Sequence, residues 1–260
     1  MSPEIPRGWL EGCYIKADAS NLVDLTHDWH EGMSQPSFFP PMIHELHANY
    51  EENGALAYYN HLLEECGTHC EAAAHMLPGS PTIEQVPLKD LIGPAVVIDI
   101  RDKCRRDPDY RLDRGDLEAW EAKHGRIPDG AWLVMSSGWS DLWDTPAFFG
   151  VDAAGKTHYP GFDPAAMRWL VETDRHIIGI ATECMSPEGG SAGRPPISGK
   201  VSRTECIPVR DELLPVWHTL VIEDLANAHL LPEAGSWLVV GVIPFRGGSA
   251  GQSRIFGVLP

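Results

Sequence analysis

The sequence predicts an α/β protein: one mixed domain over residues 1–260, with a substantial β-sheet at its core and helices on its flanks. Three observations predict it. Short apolar runs with strand character recur along the chain and outnumber the helical patterns. Two segments carry helix start signals, Asp113 and the pair Asp163-Pro164. No internal repeat, charge block or linker divides the chain, so a single mixed layer architecture is the simpler reading.

Taken in order, residues 1–20 read as an extended or frayed lead-in. Asn21 to His27 alternates apolar and polar positions and predicts a strand. Residues 32–41 form a loop with three prolines and the pair Phe38-Phe39, which suits a pocket mouth or a staple over the core. Ile43 to Tyr50 alternates again, and Leu56 to Leu63 leads into the segment 64–76. Residues 78–87 are turn-rich, and Lys89 to Pro94 is a turn before the apolar strand Ala95 to Ile100. From Asp113 to His124, Leu117 and Trp120 give a helix an apolar face. Gly125 sits at its stop and Pro128 follows. Ala131 to Met135 is a buried strand, followed by the loop Ser136 to Ser140. Asp163 caps a helix that runs to about Glu172, with Pro164 at its first position. His176 to Ala181 is a strand. Residues 187–199, rich in Gly, Ser and Pro, form a long loop of the kind that often carries function. Trp217 to Ile222, Trp237 to Ile243 and Arg254 to Val258 are the remaining strands.

Composition narrows the class. A hydrophobic content of 43% and a charged content of 22% are those of an ordinary globular protein. A net charge of -17 repels nucleic acid and anionic lipid, so neither is expected as a partner. The longest apolar run, near Trp237 to Phe245, is too short to cross a bilayer. Met1 to Pro6 has neither a basic nor an apolar stretch of an export signal. The six cysteines (Cys13, Cys66, Cys70, Cys104, Cys184, Cys206) are therefore expected to be reduced thiols in the cytoplasm.

The chemistry is concentrated between Glu64 and Met76, where two histidines, three glutamates and two cysteines fall together. If His69 to His75 is extended, His69, Glu71, Ala73 and His75 share one face. Imidazole nitrogen and carboxylate oxygen on one surface suit zinc, manganese or iron. Glu65 joins them if the chain bends at Gly67. A solvated polar turn before a strand is the plainer alternative.

Other segments carry weaker signals. Cys66 and Cys70 flank His69 at a spacing open to a thiolate zinc site, but no second cysteine pair completes it. Ser136 to Ser140 lacks the glycines on both sides of serine that a nucleophile elbow requires. Gly247 to Gly251 has the glycines of a phosphate cradle without a following lysine, and a tight turn explains it as well. Glu223 ends an apolar strand, a plausible place for a catalytic carboxylate.

In series, Asp24-Leu25-Thr26, Gly67-Thr68-His69-x-Glu71-x-x-x-His75, Gly93 to Asp99, Asp116 to Trp120, Gly138-Trp139-Ser140, Tyr159 to Phe162, Glu223-x-Leu225-x-Asn227 and Trp237 to Gly248 resemble the cyclase-like metal-dependent hydrolase family, the family of bacterial kynurenine formamidase and isatin hydrolase. The resemblance runs nearly end to end. It implies a swivelling β/β/α fold and a homo-oligomer, most simply a dimer. The family pattern His-x-Gly-Thr-His-x-Asp-x-Pro-x-His places Glu65 where a ligand histidine belongs, matches His69 to a ligand, and puts Glu71 for the ligand aspartate. Ala73 stands for the proline and His75 matches the acid–base histidine. Arg210 stands where a second histidine precedes a Leu-Leu pair, here Leu213-Leu214, and Glu223 matches a late active-site glutamate.

The resemblance thus implies one divalent ion, manganese or zinc, held by Glu65, His69 and Glu71, with His75 and Glu223 as catalytic groups. The carboxylate-rich set is harder and more anionic, which favours manganese. Phe38, Phe39 and Trp139 are candidates to stack on a flat small-molecule substrate, and Arg210 to hold a substrate carboxylate. The expected reaction is opening of a cyclic amide, lactone or related carbonyl compound by metal-activated water. A non-hydrolytic cyclase or isomerase with little or no metal, and a non-catalytic binding protein, remain alternatives on the same scaffold.

Overall fold

The structure, a computed structural model, describes residues 17–37, 39–190 and 207–260. Twelve strands are present among them. They are β1 (Leu22–Asp24), β2 (Ile43–Ala48), β3 (Ala57–His61), β4 (His69–Glu71), β5 (Ile92–Asp99), β6 (Arg111–Leu112), β7 (Ala131–Ser136), β8 (Gly161–Phe162), β9 (Ile177–Thr182), β10 (Leu220–Glu223), β11 (Trp237–Val242) and β12 (Ala250–Val258). Helices α1 (Tyr50–Asn53), α2 (Arg101–Cys104), α3 (Arg114–His124), α4 (Pro164–Glu172) and α5 (Pro208–Trp217) lie between them.

Eight strands form one sheet in the order β1-β12-β11-β5-β7-β9-β10-β4, and β4 also pairs with β12. That last pairing closes the sheet into a ring, leaving only β1 outside it. The strands β5, β7, β9 and β10 are parallel, whereas β11, β12 and β4 are joined by antiparallel ladders. Closure depends on the length of β12. Its start, Ala250 to Gln252, pairs with β4, and its remainder pairs with β11 and β1.

Ring and helices create two cores. Every strand of the ring contributes to one of them, through Cys70, Val97, Trp132, Val134, Ile178, Ala181, Ile222, Leu238, Val240 and Ile255. The other lies between the outer face and α3, α4 and α5, with Val96, Ile98, Leu133, Ile180 and Val221 packed on Leu117, Met167 and Leu213. Alternate residues thus face different cores, so β7, β9 and β10 are buried at every position. Trp132 fills the enclosed core beside Gly179, its ladder partner on β9. A Cβ on Gly179 would come within 2.0 Å of the indole.

The capped helices follow from local chemistry. The Asp113 carboxylate accepts from Asp116 N–H, and the Asp163 carboxylate from Ala165 N–H with Pro164 behind it. α5 replaces part of the strand expected at Trp217 to Ile222. Trp217 to Ile222 divides into the end of this helix and the strand β10, which begins at Leu220. Its N-cap is Ile207, with no capping side chain, and Pro215 sits inside it. Buried Glu188 instead accepts from Val209 and Arg210 N–H, at 2.7 and 3.2 Å, so the cap comes from outside the helix. The lead-in before residue 17 and the 187–199 loop beyond residue 190 lie outside the described residues. The hairpin β2–β3 stands apart, with Ile43, Leu46, Tyr58 and Tyr59 exposed.

Candidate metal centre

β4 is too short to carry the whole motif. Extended pairing covers His69 to Glu71, and the chain then coils into a 3-10 turn at Ala73–His75. His75 is therefore not on the strand face by alternation, and Ala73 is buried. The turn closes through His75 N–H to Ala72 carbonyl, and Ala74 N–H to Pro81 carbonyl. It nonetheless returns His75 to the strand, with Nε2 3.4 Å from Glu71 Oε1.

Across the β4–β10 ladder His69 stands opposite Glu223, Glu71 opposite Val221, and Cys70 opposite Ile222. Alternation sends Cys70 and Ile222 into the enclosed core, and His69, Glu71 and Glu223 to the helix-covered face. Among the described residues, His69, Glu71 and Glu223 are the group whose donor atoms lie within 4.8 Å of one another and could hold a metal ion. Glu65 is outside it.

His69 is oriented for such a role. Its Nδ1 lies 2.7 Å from the Gly67 carbonyl, which takes the ring proton and leaves the lone pair of the neutral ring on Nε2. Nε2 is buried without a hydrogen-bond partner, 3.8 Å from Glu71 Oε1 and 3.6 Å from Glu223 Oε2. One imidazole nitrogen and two carboxylate oxygens facing a common point fit a divalent cation. Burial pulls the His69 pKa down, but Glu71, Glu223 and Asp224 outweigh it and hold the imidazole at about 9. The pocket is thus rich enough in negative charge to retain a proton where a cation would fit. Gly67 makes the preceding bend possible: its φ is +61°, and a Cβ would lie 2.6 Å from Trp29 Nε1.

Arg210, from the first turn of α5, is buried beside the carboxylates. Its Nη2 donates to Glu71 Oε2 at 2.6 Å and to Glu223 Oε1 at 2.5 Å, and Nε donates to Glu71 Oε2 at 3.2 Å. The guanidinium's partners are therefore protein carboxylates, an arrangement the expectation of a substrate-carboxylate contact did not include. Burial works against charge on Glu71, yet Arg210, His75 and His69 hold its carboxyl below the usual range.

On the more open side, His75 Nδ1 faces Glu65 Oε1 at 3.1 Å and Ser249 Oγ at 3.3 Å. Ser249 Oγ also reaches Glu65 Oε1 at 3.3 Å and Glu64 Oε2 at 3.2 Å. Burial pulls the His75 pKa down, but Glu71 and Glu65 hold it above the ordinary histidine value against the opposing charge of Arg210. The glycine-rich stretch before β12 does cradle an anion, but one of the protein's own. Ser249 and Ala250 N–H donate to Glu64 Oε2 at 2.7 and 3.0 Å.

The aromatic candidates lie apart from this cluster of charges. Trp139 is buried in the outer core, its indole N–H donating to the Phe148 carbonyl at 2.8 Å. Phe39 packs around Met33, Met42 and Cys66, together with Trp29, Leu62 and Trp143. Phe38 lies outside the described residues. Cys66 and Cys70 are buried free thiols, and burial pushes Cys66 up to about 11 and Cys70 higher still. Neither belongs to the donor group. Glu64, Ser249, Glu188 and Trp29 complete the surroundings; the sequence marked the stretches that hold Glu64, Ser249 and Glu188 but not these side chains' roles, and Trp29 carried no mark.

Residues 23–189 match the model of the Cyclase family, described as "Putative cyclase". Isatin hydrolase from Roseibium aggregatum is 28% identical over 229 residues, which cover 84% of this chain and 81% of that protein. A crystal structure of an isatin hydrolase bound to the product analogue thioisatinate superposes with a TM-score of 0.81 at 25% identity, over 92% of both chains. The structure of a potential metal-dependent hydrolase with cyclase activity shares the fold at a TM-score of 0.63 and 21% identity, over 91% of this chain and 96% of the other.

Proposed function

The chain belongs to the Cyclase family, and on that premise we propose that it is a metal-dependent hydrolase that opens a cyclic amide, lactone or related carbonyl compound. One observation carries the reading: the partnerless, buried Nε2 of His69 shares a common point with Glu71 Oε1 and Glu223 Oε2. The isatin hydrolase relatives support the hydrolytic class. His69, Glu71 and Glu223 would hold a divalent ion, manganese or zinc, which when bound would supply Lewis-acid polarisation of a carbonyl and acidify water. Glu223 takes the third donor position here, and Glu65 becomes the partner of His75.

His75 is the acid–base group. Glu65 Oε1 accepts the Nδ1 proton, which leaves the Nε2 lone pair turned toward the donor site. From there Nε2 takes a proton from the attacking water and returns it to the leaving group. Ser249 tethers Glu65 and His75 to each other through its hydroxyl. Glu71 and His69, both buried, keep bulk water from the closed side of the site. The substrate therefore approaches past His75 and Glu65, whose side chains are about one-fifth exposed.

Elemental analysis of protein purified without chelator, followed by assay on a panel of cyclic amides and lactones, tests the reading. Stoichiometric metal and ring opening that is lost on chelation are expected. Metal-independent ring opening overturns the metal role, and intact rings throughout the panel overturn the substrate class. A second reading, a cyclase or isomerase acting without bound metal, draws on Arg210, which already supplies positive charge to Glu71 and Glu223. Turnover by chelated protein without water incorporation would favour it.

A further inference from the structure

Arg210 has no proton to exchange at neutral pH and makes its contacts inside the protein. Its placement is nevertheless highly determined. Buried Glu188 accepts from the Val209 and Arg210 backbone N–H groups and lies 3.5 Å from Arg210 Nη1, so one carboxylate caps α5 and holds the base of the side chain. Ser186 Oγ lies 3.5 Å from the same nitrogen. The guanidinium then reaches Glu71 and Glu223 together.

The oxygens it takes are not those that face His69. Arg210 binds Glu71 Oε2 and Glu223 Oε1, whereas Glu71 Oε1 and Glu223 Oε2 are the atoms 3.8 and 3.6 Å from His69 Nε2. A carboxylate is planar, so fixing one oxygen aims the other. We propose that Arg210 is a positioning residue of the metal centre, a guanidinium clamp that fixes one oxygen of each carboxylate and so presents the other two, with His69 Nε2, as a preformed three-point site for a divalent cation. A planar fork suits this task and a lysine ammonium does not, because it is a point charge on a flexible stem.

Charge and orientation make opposite predictions here. By charge alone, a guanidinium beside two carboxylates repels a cation, so its removal tightens metal binding. As a clamp, its removal weakens binding, because the carboxylates then lose their aim. The proposal rests on the metal reading above, and the test separates the two.

Full-length, chelator-treated protein is titrated with Mn²⁺, following free ion by electron paramagnetic resonance, for wild type, Arg210→Lys and Arg210→Met. Circular dichroism and thermal melts are run on the same samples. Wild type is expected to bind one ion per chain. Arg210→Lys keeps the buried positive charge, and therefore the fold, but is expected to bind Mn²⁺ about 10- to 100-fold more weakly, the range for loss of a group that orients ligands, with a broadened bound-ion spectrum. Arg210→Met, where it folds, is expected to bind at least as weakly as Arg210→Lys despite its more negative site. Wild-type protein that takes up neither Mn²⁺ nor, by elemental analysis after the same treatment, Zn²⁺ at millimolar concentration overturns the metal reading and this proposal with it, and uptake of Zn²⁺ without Mn²⁺ overturns the Mn²⁺ site proposed here. Wild-type binding matched or exceeded by a folded Arg210→Lys overturns the clamp alone. A lower melting temperature with unchanged affinity does the same, since it assigns Arg210 to the fold only.

Discussion

Glu223 stands directly across the β4–β10 ladder from His69, with its Oε2 3.6 Å from His69 Nε2. The two residues are separated by most of the chain, yet register fixes their side chains on one face. Because β4 is also held by β12 on its other edge, the pair sits in a closed ring and cannot slip without breaking two ladders. That rigidity is what a metal centre requires of its ligands.

His75→Ala is expected to retain the metal and to lose turnover by about 10²–10⁴-fold, the scale of general acid–base catalysis. His69→Ala is expected to lose metal and activity together. Metal analysis beside steady-state kinetics checks both. Loss of metal in His75→Ala would make it a ligand, and full activity with metal bound would make it a bystander.

Glu65→Gln separates the roles of the two outer acids. If Glu65 orients His75 through Nδ1 rather than holding the ion, the variant keeps its metal stoichiometry and loses kcat by about 10- to 100-fold, the usual cost of an orienting partner. Glu223→Gln should instead lose metal affinity. Equal metal loss in both variants would return Glu65 to the ligand set.

Acid sensitivity should trace in part to His27. Its ring stacks on Trp143 with centroids 4.3 Å apart, and burial holds its pKa down at about 4 against the opposing charges of Asp144 and Asp28. The unfolded chain takes up this proton near pH 6.5 and the folded protein near pH 4. Stability from His27 is therefore complete above about pH 6.5 and falls as pH drops toward 4. His27→Gln should flatten that part of the curve of melting temperature against pH. An unchanged slope between pH 7 and 4 would exclude the assignment.

Gly179→Ala tests the enclosed core. The added methyl would lie within 2.0 Å of the fully buried Trp132 ring. Overpacking of this kind costs about 1–3 kcal/mol, and a clash with a rigid indole belongs at the upper end. Denaturant unfolding measures it. A loss well below 1 kcal/mol would mean that the ring has room to move.

A homo-oligomer, most simply a dimer, belongs to the same functional reading. Light scattering is expected to give a mass of about twice the 28.6 kDa of the chain. A mass equal to one chain would reject it.

Much of this molecule was legible in its sequence. Asp113 and Asp163 marked α3 and α4 because a capping carboxylate acts within a few residues of itself. The apolar runs marked β7, β9 and the middle of β5 because strand segments buried on both faces need no partner to reveal them, and β11 was marked by its apolar run although it buries only alternate positions. His69, Glu71, His75 and Glu223 were singled out by their chemistry and order in the chain. What depended on distance in space was hidden. α5 is capped by Glu188, 21 positions before Val209, so no capping side chain marked its start locally, and Pro208 at its first position was the sign it bore. The turn at Ala73–His75 replaced an extended ladder because β10 and β12 offer pairing only as far as Glu71. That Glu223 lies with His69 and Glu71, and that Arg210 seats against two carboxylates, was decided by ladder register and helix docking. Residue type sets what a side chain can bind, but only tertiary packing sets which oxygen faces which nitrogen.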